Sequence, residues 1–467
     1  MPLNEFMKKY RSSLVLMLLF LMGNVALSQD VKIKGKVNEP EALIRLMTYN
    51  DMLTCEQTTV FETSSDENGS FSIETKIDDI VMAQIAVNLE RVDILLKPDA
   101  DYEIEIHIPE QEKDISYFER QSPTLKIIKS NDDELYYQYN MSNVIIDDFV
   151  LDNFNRLYRN RQLSLLDTLD VKIENILGDM NTDFVKDNIL YRKAAIIMMT
   201  GNANKVLSQY FNKQPVLYSQ PAYMNLFQEI FTNYLTSRQF DPSELRAMLY
   251  DTYDNFLKFI KGKDAFLSDN HDLAELIVAW NLKRMYYEMP DDRNRIYAYL
   301  NYIYENAGCS DNKEVIGDII RQINRLSFNS DAPDFVLKDG NDKDVRLSDF
   351  KDKMILLQFV NQRSSMTDYQ FEMLKDLSQQ WHDTIQIITI ATKESFVDFR
   401  SMFDEKNYRW TLLDLGDDIL LLENYQIMTY PDYVILGKDN KIGMAPAPAP
   451  DQYLDFHVRR IYNYYKK

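Results

Sequence analysis

Residues Met354 to Thr367, MILLQFVNQRSSMT, join an apolar strand to a polar turn, and the rest of the chain is arranged around them. Met354, Ile355, Leu356, Leu357, Phe359 and Val360 make a short, nearly continuous apolar run, the pattern of a strand buried on both faces of a parallel or mixed sheet. Helix signals follow at once. Ser364 or Ser365 can cap, and Tyr369, Met373, Leu374 and Leu377 then recur at helical spacing as far as Trp381. α/β proteins commonly place chemistry where a strand feeds a helix N-terminus, because free amides and the helix dipole meet there. In this chain the position carries Ser364, Ser365, Met366 and Thr367.

The chain has 467 residues, 45% of them apolar and 27% charged, with 12 Gly and 14 Pro. That length accommodates about three domains, and the composition is globular rather than disordered or fibrous. A net charge of −21 excludes nucleic acid and anionic membrane as natural partners, since both require a basic face. Residues 1–28 have the form of a secretory signal: Lys8, Lys9 and Arg11, an apolar core from Leu14 to Met22, then Ala26-Leu27-Ser28 as the cleavage site before Gln29. The core is too short to span a bilayer comfortably, so no stable membrane insertion is expected after cleavage, and the chain is placed on the periplasmic or extracellular side of the envelope. In that oxidising setting Cys55 and Cys309 either pair or remain as two free thiols.

From Val31 to about Pro109 the pattern is β. Val31, Ile33 and Val37 open it, Phe71 to Glu74 follow a turn at Glu67-Asn68-Gly69, and Tyr102, Ile104, Ile106 and Ile108 alternate cleanly. This predicts an antiparallel β sandwich over residues 31–110. The alternate positions Asp99, Asp101, Glu103, Glu105 and His107 have the chemistry of divalent-cation ligands, but one exposed row is read as the wet face of a strand, and no metal or other cofactor is expected. Residues 115–327 are read as an all-α domain. Asp241-Pro242-Ser243-Glu244 marks one helix start, with a capping Asp and Pro at the first helical position. The tyrosines of this region, Tyr136, Tyr137, Tyr139, Tyr286, Tyr287, Tyr297, Tyr299, Tyr302 and Tyr304, are expected mostly in packing, the alternative being a recognition surface.

Residues 331–467 alternate strand and helix. Ala332-Pro333-Asp334-Phe335, Leu347-Ser348-Asp349-Phe350-Lys351, the strand at Met354 and the sequence Thr429-Tyr430-Pro431 before Tyr433 to Leu436 together resemble the TlpA/ResA-like thioredoxin-fold proteins of the bacterial envelope. The resemblance implies a C-terminal α/β thioredoxin-like domain, in which Arg363 stands where that family carries Trp and Ser364 and Thr367 stand where it carries the two thiols of Cys-x-x-Cys. It also implies that Pro431 is the cis proline facing that site. The β region, with Ile33-Lys34-Gly35-Lys36-Val37, the turn Asp66-Glu67-Asn68-Gly69-Ser70-Phe71 and Leu96-Lys97-Pro98 before Tyr102-Glu103-Ile104-Glu105-Ile106, is similar to the β domain that often precedes TlpA-like domains in bacterial envelope proteins.

Thiol exchange needs a thiolate, and a hydroxyl cannot form or break an S–S bond. Serine catalysis would need a base, and His382 stands on the order of 25 Å along the same predicted helix. The sequence therefore predicts a multidomain exported protein with a redox-inactive site at Ser364, Ser365, Met366 and Thr367. Arg363, Tyr430 and Pro431 would flank a peptide groove whose partner is an envelope protein or peptide. The alternatives are a thiol–disulfide oxidoreductase drawing on Cys55 or Cys309, and a carbohydrate-binding envelope component using the tyrosines.

Overall fold

The computed structural model of the chain describes residues 29–109, 122–131, 133–180, 182–237, 239–350, 353–381, 384–427 and 429–466. The expected signal at residues 1–28 lies outside the described residues. The rest forms two compact units, one holding the chain up to Tyr49 with Gln57–Val144 and Asp179–Val185, the other holding Asn50–Glu56, Ile145–Gly178 and Lys186–Lys467.

The first unit contains β1 (Gln29–Val37), β2 (Leu43–Tyr49), β3 (Gln57–Ser64), β4 (Ser70–Ile77), β5 (Val81–Val87), β6 (Glu90–Leu96), β7 (Asp101–His107) and β8 (Thr124–Ser130). They make two four-stranded sheets, in the orders β4-β1-β7-β8 and β3-β2-β5-β6. Alternation along each strand sends Val31, Ile33, Ile73, Ile104 and Ile106 from one sheet against Ile44, Leu46, Ile85 and Ile94 from the other, giving one apolar core. β1 and β7 run parallel; the other pairs are antiparallel. The acidic row of β7 is explained by its neighbours. Asp101, Glu103 and Glu105 face Lys32, Lys34 and Lys36 on β1, while Glu103 and Glu105 face Lys129 and Lys126 on β8. Opposite charges directly across strands stabilise a wet face without any ion. β8 falls within residues 115–327, read from the sequence as all-α, and corrects the start of that region: Lys126 and Lys129 break up its apolar residues, and only its pairing with β7 completes it.

The helical region comprises α1 (Asp133–Phe154), α2 (Leu165–Leu177), α3 (Asp183–Met199), α4 (Pro221–Phe231), α5 (Pro242–Met248), α6 (Tyr253–Lys261), α7 (His271–Glu288), α8 (Arg293–Asn306) and α9 (Ser310–Arg325). Asp241 caps α5 by accepting from the amides of Ser243 and Glu244, with Pro242 at the first position. In the second unit α7 is the central element, buried around most of its circumference by residues such as Leu273, Leu276, Ile277, Val278 and Leu282.

The strands that follow are β9 (Val336–Asp339), β10 (Asp344–Arg346), β11 (Met354–Val360), β12 (Ile385–Ala391), β13 (Thr411–Asp414), β14 (Asp432–Leu436) and β15 (Ile442–Ala447). They form one mixed sheet in the order β10-β9-β13-β12-β11-β14-β15. β11 pairs in parallel with β12 and antiparallel with β14, and all seven of its residues are buried. α10 (Ser365–Gln380), α11 (Lys393–Lys406), α12 (Ile419–Asn424) and α13 (Leu454–Tyr465) accompany the sheet. Leu374 and Leu377 of α10 and Leu454, Val458 and Ile461 of α13 share one core with Leu356, Ile387 and Ile435, while Phe371 joins Phe396, Phe399 and Phe403 of α11 in another. Met444 to Pro450 alternate Ala and Pro, and the first of them lie in the edge strand β15, where a proline without an N–H is tolerated.

Gly35 pairs across the sheet with Phe71, whose ring atoms lie 2.0 to 2.5 Å from the position a Cβ at residue 35 would take. Gly35→Ala is therefore expected to destabilise the sandwich by about 1–3 kcal/mol. Phe71→Leu in the same chain should restore part of the loss, as measured by urea denaturation; an unchanged melt for Gly35→Ala would contradict the packing described.

Candidate functional site

β11 ends at Val360, and the chain turns through Asn361 to Ser364 before α10 begins. Ser364 is the cap. Its Oγ accepts the amide of Thr367 at 3.1 Å and lies 2.8 Å from Thr367 Oγ1, while Thr367 Oγ1 lies 3.3 Å from the Gln362 carbonyl and donates to it. The two hydroxyls thus close a chain of hydrogen bonds that ties the first turn of α10 to the preceding loop. Thr367 is buried, whereas Ser364, Ser365 and Met366 are exposed. Arg363 grips Asp368 with two nitrogens, Nε to Oδ1 at 3.0 Å and Nη2 to Oδ2 at 3.2 Å, so its charge is spent within the turn.

The antiparallel register of β11 with β14 matches Phe359 to Asp432. Continued by one residue, it sets Pro431 opposite Val360, beside the turn. The Tyr430–Pro431 bond is cis, as the family resemblance implies, and both residues are half-buried. Asp432 is half-buried as well; burial pushes its carboxyl above the ordinary value, opposed by the Tyr433 amide that it accepts at 2.8 Å. The structure therefore brings Arg363, Ser364 and Thr367 together as a capped turn and places Pro431 at the end of the neighbouring strand.

Beneath the turn runs a polar chain that the sequence reading missed. Gln358 is fully buried; its Oε1 accepts from Thr389 at 2.8 Å and its Nε2 donates to the Tyr433 hydroxyl at 3.2 Å. Trp410 donates to Thr389 at 3.0 Å, Tyr433 donates to Gln370 at 2.8 Å, and Gln370 donates to Asp451 at 3.2 Å. The only signal in the sequence is one glutamine inside an apolar run.

Neither thiol belongs to this constellation. Cys309 caps α9, accepting the Asn312 amide at 3.5 Å with the Tyr218 hydroxyl 3.6 Å away. Cys55 lies in the loop before β3, 3.7 Å from the Met52 carbonyl, and is not bonded to Cys309. Desolvation and the Asp51 carboxylate push the Cys55 thiol up, which keeps it protonated and weakly nucleophilic. His382 lies outside the described residues. His457 sits on α13, with its Nδ1 buried and unpartnered. The carbohydrate alternative requires a planar row of exposed rings. Tyr286 and Tyr287 meet at 86°, and Phe328 and Tyr464 at 78°, so these pairs present edges rather than a platform. No group of metal-ligating side chains converges among the described residues, and no helix among them is long and apolar enough to cross a membrane.

Residues 328–445 match the model of the AhpC/TSA family, a stretch that starts just before β9 and ends within β15. Solved structures give the same kind of likeness over part of the chain. The thioredoxin domain of a thiol-disulfide oxidoreductase from Bacteroides vulgatus is 23% identical, covering 29% of this chain and 99% of that one with a TM-score of 0.27. A thiol:disulfide interchange protein from Bacteroides sp. is 24% identical over 30% of this chain and 92% of its own, again at 0.27. The exposed lipoprotein thioredoxin of Streptococcus pneumoniae is 22% identical over 27% of this chain and 99% of its own, at 0.24. No curated protein matches the chain. With the sheet topology, the family match gives β9 to β15 a thioredoxin-like fold, and no Cys-x-x-Cys pair is present in it.

Two measurements check this geometry. Ser364→Ala removes the cap and should cost about 1 kcal/mol in a urea melt followed by tryptophan fluorescence. For Asp432 the sign follows from burial: its folded pKa is raised, so the protonated form is favoured in the folded state and stability rises as pH falls through that pKa towards the unfolded value of about 3.9. Asp432→Asn should remove that segment of the pH–stability curve and stabilise the chain at neutral pH; a carboxyl titrating at or below the ordinary value by NMR would contradict the assignment.

Proposed function

We propose that this chain is an exported TlpA/ResA-like envelope protein in which the thioredoxin-like region has become a binding or scaffold module. Its domains would be a sandwich over residues 31–110 with β8 added to it, a helical domain over the remainder of 115–327 and the thioredoxin-like domain over 331–467, following a cleaved signal at 1–28. In this reading Ser364, Ser365, Met366 and Thr367 occupy the dithiol position, and Arg363, Tyr430 and Pro431 border a groove that holds an extended segment of another envelope protein without reacting with it.

The observation that carries the reading is the Ser364–Thr367 hydroxyl pair at 2.8 Å. Two side chains so close occupy the two ends of a Ser-x-x-Thr turn at a helix start, where the spacing of Cys-x-x-Cys is kept and the sulfur is gone. Two further facts support binding rather than a relic surface. Met366 and Tyr369 in the first turns of α10 are 54% and 57% exposed, apolar area that a partner could cover. The first amides of a helix lack intrahelical partners, so the start of α10 offers donors to an extended backbone. The thiol–disulfide names of the similar structures describe those proteins, and that chemistry requires the thiols this turn lacks.

The purified chain is expected to show no turnover in an insulin-reduction assay and to bind a permanently unfolded protein such as carboxymethylated α-lactalbumin. Met366→Glu with Tyr369→Glu should weaken that binding roughly tenfold or more while leaving the melt unchanged, each lost apolar anchor being worth on the order of 1–2 kcal/mol. Turnover that survives Cys55→Ser with Cys309→Ser, or binding indifferent to the glutamates, would sink the proposal. Export is checked separately: mass spectrometry of chain recovered from an envelope fraction should find a mature N-terminus at Gln29.

A further inference from the structure

α13 is drawn close to the far edge of the sheet by two glycines. A Cβ at Gly443 would come within 2.9 Å of Ile461, and one at Gly437 within 2.0 Å of the Tyr465 ring. Phe328, in the segment between α9 and β9, stands against the end of the helix, its ring 4.8 Å from that of Tyr464 at an angle of 78°. Between them is a cleft of about 370 Å³ lined by Phe328, Gly443, Arg460, Ile461, Asn463 and Tyr464. That volume suits a small ligand or the last residues of a peptide.

The cleft has a directional character. At one end Phe328 and Tyr464 are 50% and 53% exposed, two rings set edge to face around an open apolar notch. At the other is Arg460. Positions 460, 463 and 464 share one face of α13, so the guanidinium and the Asn463 amide point to the same side as the Tyr464 ring. The neighbouring Arg459 is engaged by Asp455 at 2.9 Å, whereas Arg460 has no ion pair or hydrogen bond among the described residues. An unpaired guanidinium beside exposed rings is complementary to an anion attached to an apolar body.

We propose that this cleft binds a carboxylate carried on an aromatic group. The carboxylate pairs with Arg460 and is steadied by Asn463, and the ring lies against Phe328 and Tyr464. The ligand is either a free aromatic acid or a peptide ending in an aromatic residue, which share this chemistry. The cleft is distinct from the Ser364 turn: it adjoins the Leu436 end of β14, while Pro431 precedes the other end, on the order of 15 Å away. Its fate is therefore independent of the proposal for that turn.

The test is saturation-transfer NMR on the purified chain with N-acetyl-phenylalanine, its neutral amide, and a tetrapeptide ending in phenylalanine with a free carboxylate. N-acetyl-phenylalanine or the tetrapeptide should bind with a Kd on the order of 1 mM or tighter, as expected for so few atoms. The amide should bind roughly tenfold more weakly, and Arg460→Gln should erase the difference between acid and amide. Phe328→Ala should weaken the acid and the amide alike, with melting curves reporting that both variants fold. Tighter binding of the tetrapeptide would identify a peptide terminus as the natural ligand, and tighter binding of the single amino acid a free acid, each supporting the site. No saturation transfer from either carboxylate at 10 mM (roughly ten times that Kd), equal affinity for acid and amide, or a folded Arg460→Gln that behaves as the parent would overturn it.

Discussion

Gln358 lies in the middle of β11 with no exposed surface, and an amide buried there without partners would cost about 1–3 kcal/mol. It is satisfied only if Thr389 on β12 and Tyr433 on β14 arrive on either side in the observed register. A slip of either neighbouring strand by one residue would turn Thr389 or Tyr433 to the opposite face from Gln358. The demand then propagates: Thr389 accepts from Trp410, and Tyr433 donates to Gln370, which in turn donates to Asp451 ahead of α13. One polar residue in an apolar strand thereby fixes how β12, β14 and α10 meet β11.

In the proposed reading the turn at Ser364 stands at a dithiol position without its sulfur. At this helix start one hydroxyl caps the helix and the other bonds back to the loop. Arg363, which would favour a thiolate beside it, is neutralised by Asp368. Every strong interaction in the turn is internal. Beside the exposed Ser364 and Ser365, Met366 and Tyr369 face outward and add apolar area to the surface of the turn.

Much of this was legible in the sequence because it rests on local pattern. The apolar run of β11, the capping serine and the helical spacing after it are properties of neighbouring residues, and so is the alternation of β7. What escaped depends on residues far apart in the chain. β8 is a strand because β7 pairs with it, and only the pairing shows that Lys34 and Lys36 on β1 stand across from the acidic row of β7. Thr389, Tyr433 and Asp451 gave no sign of converging on Gln358 and Gln370. Phe328 and Arg460, more than a hundred residues apart, line one cleft because Gly443 lets α13 approach, and no spacing rule could have joined them.

The central claim is that Ser364 and Thr367 hold the place of a dithiol in an otherwise intact thioredoxin-like fold. It is tested most directly by a redox titration of Ser364→Cys with Thr367→Cys in a chain carrying Cys55→Ser and Cys309→Ser. The account predicts one intramolecular disulfide that forms and opens reversibly, in a protein whose melt is lowered only by the lost cap, roughly 1 kcal/mol. Thiols that fail to pair, or a domain that unfolds on their introduction, would show that the two side chains do not stand where a dithiol would.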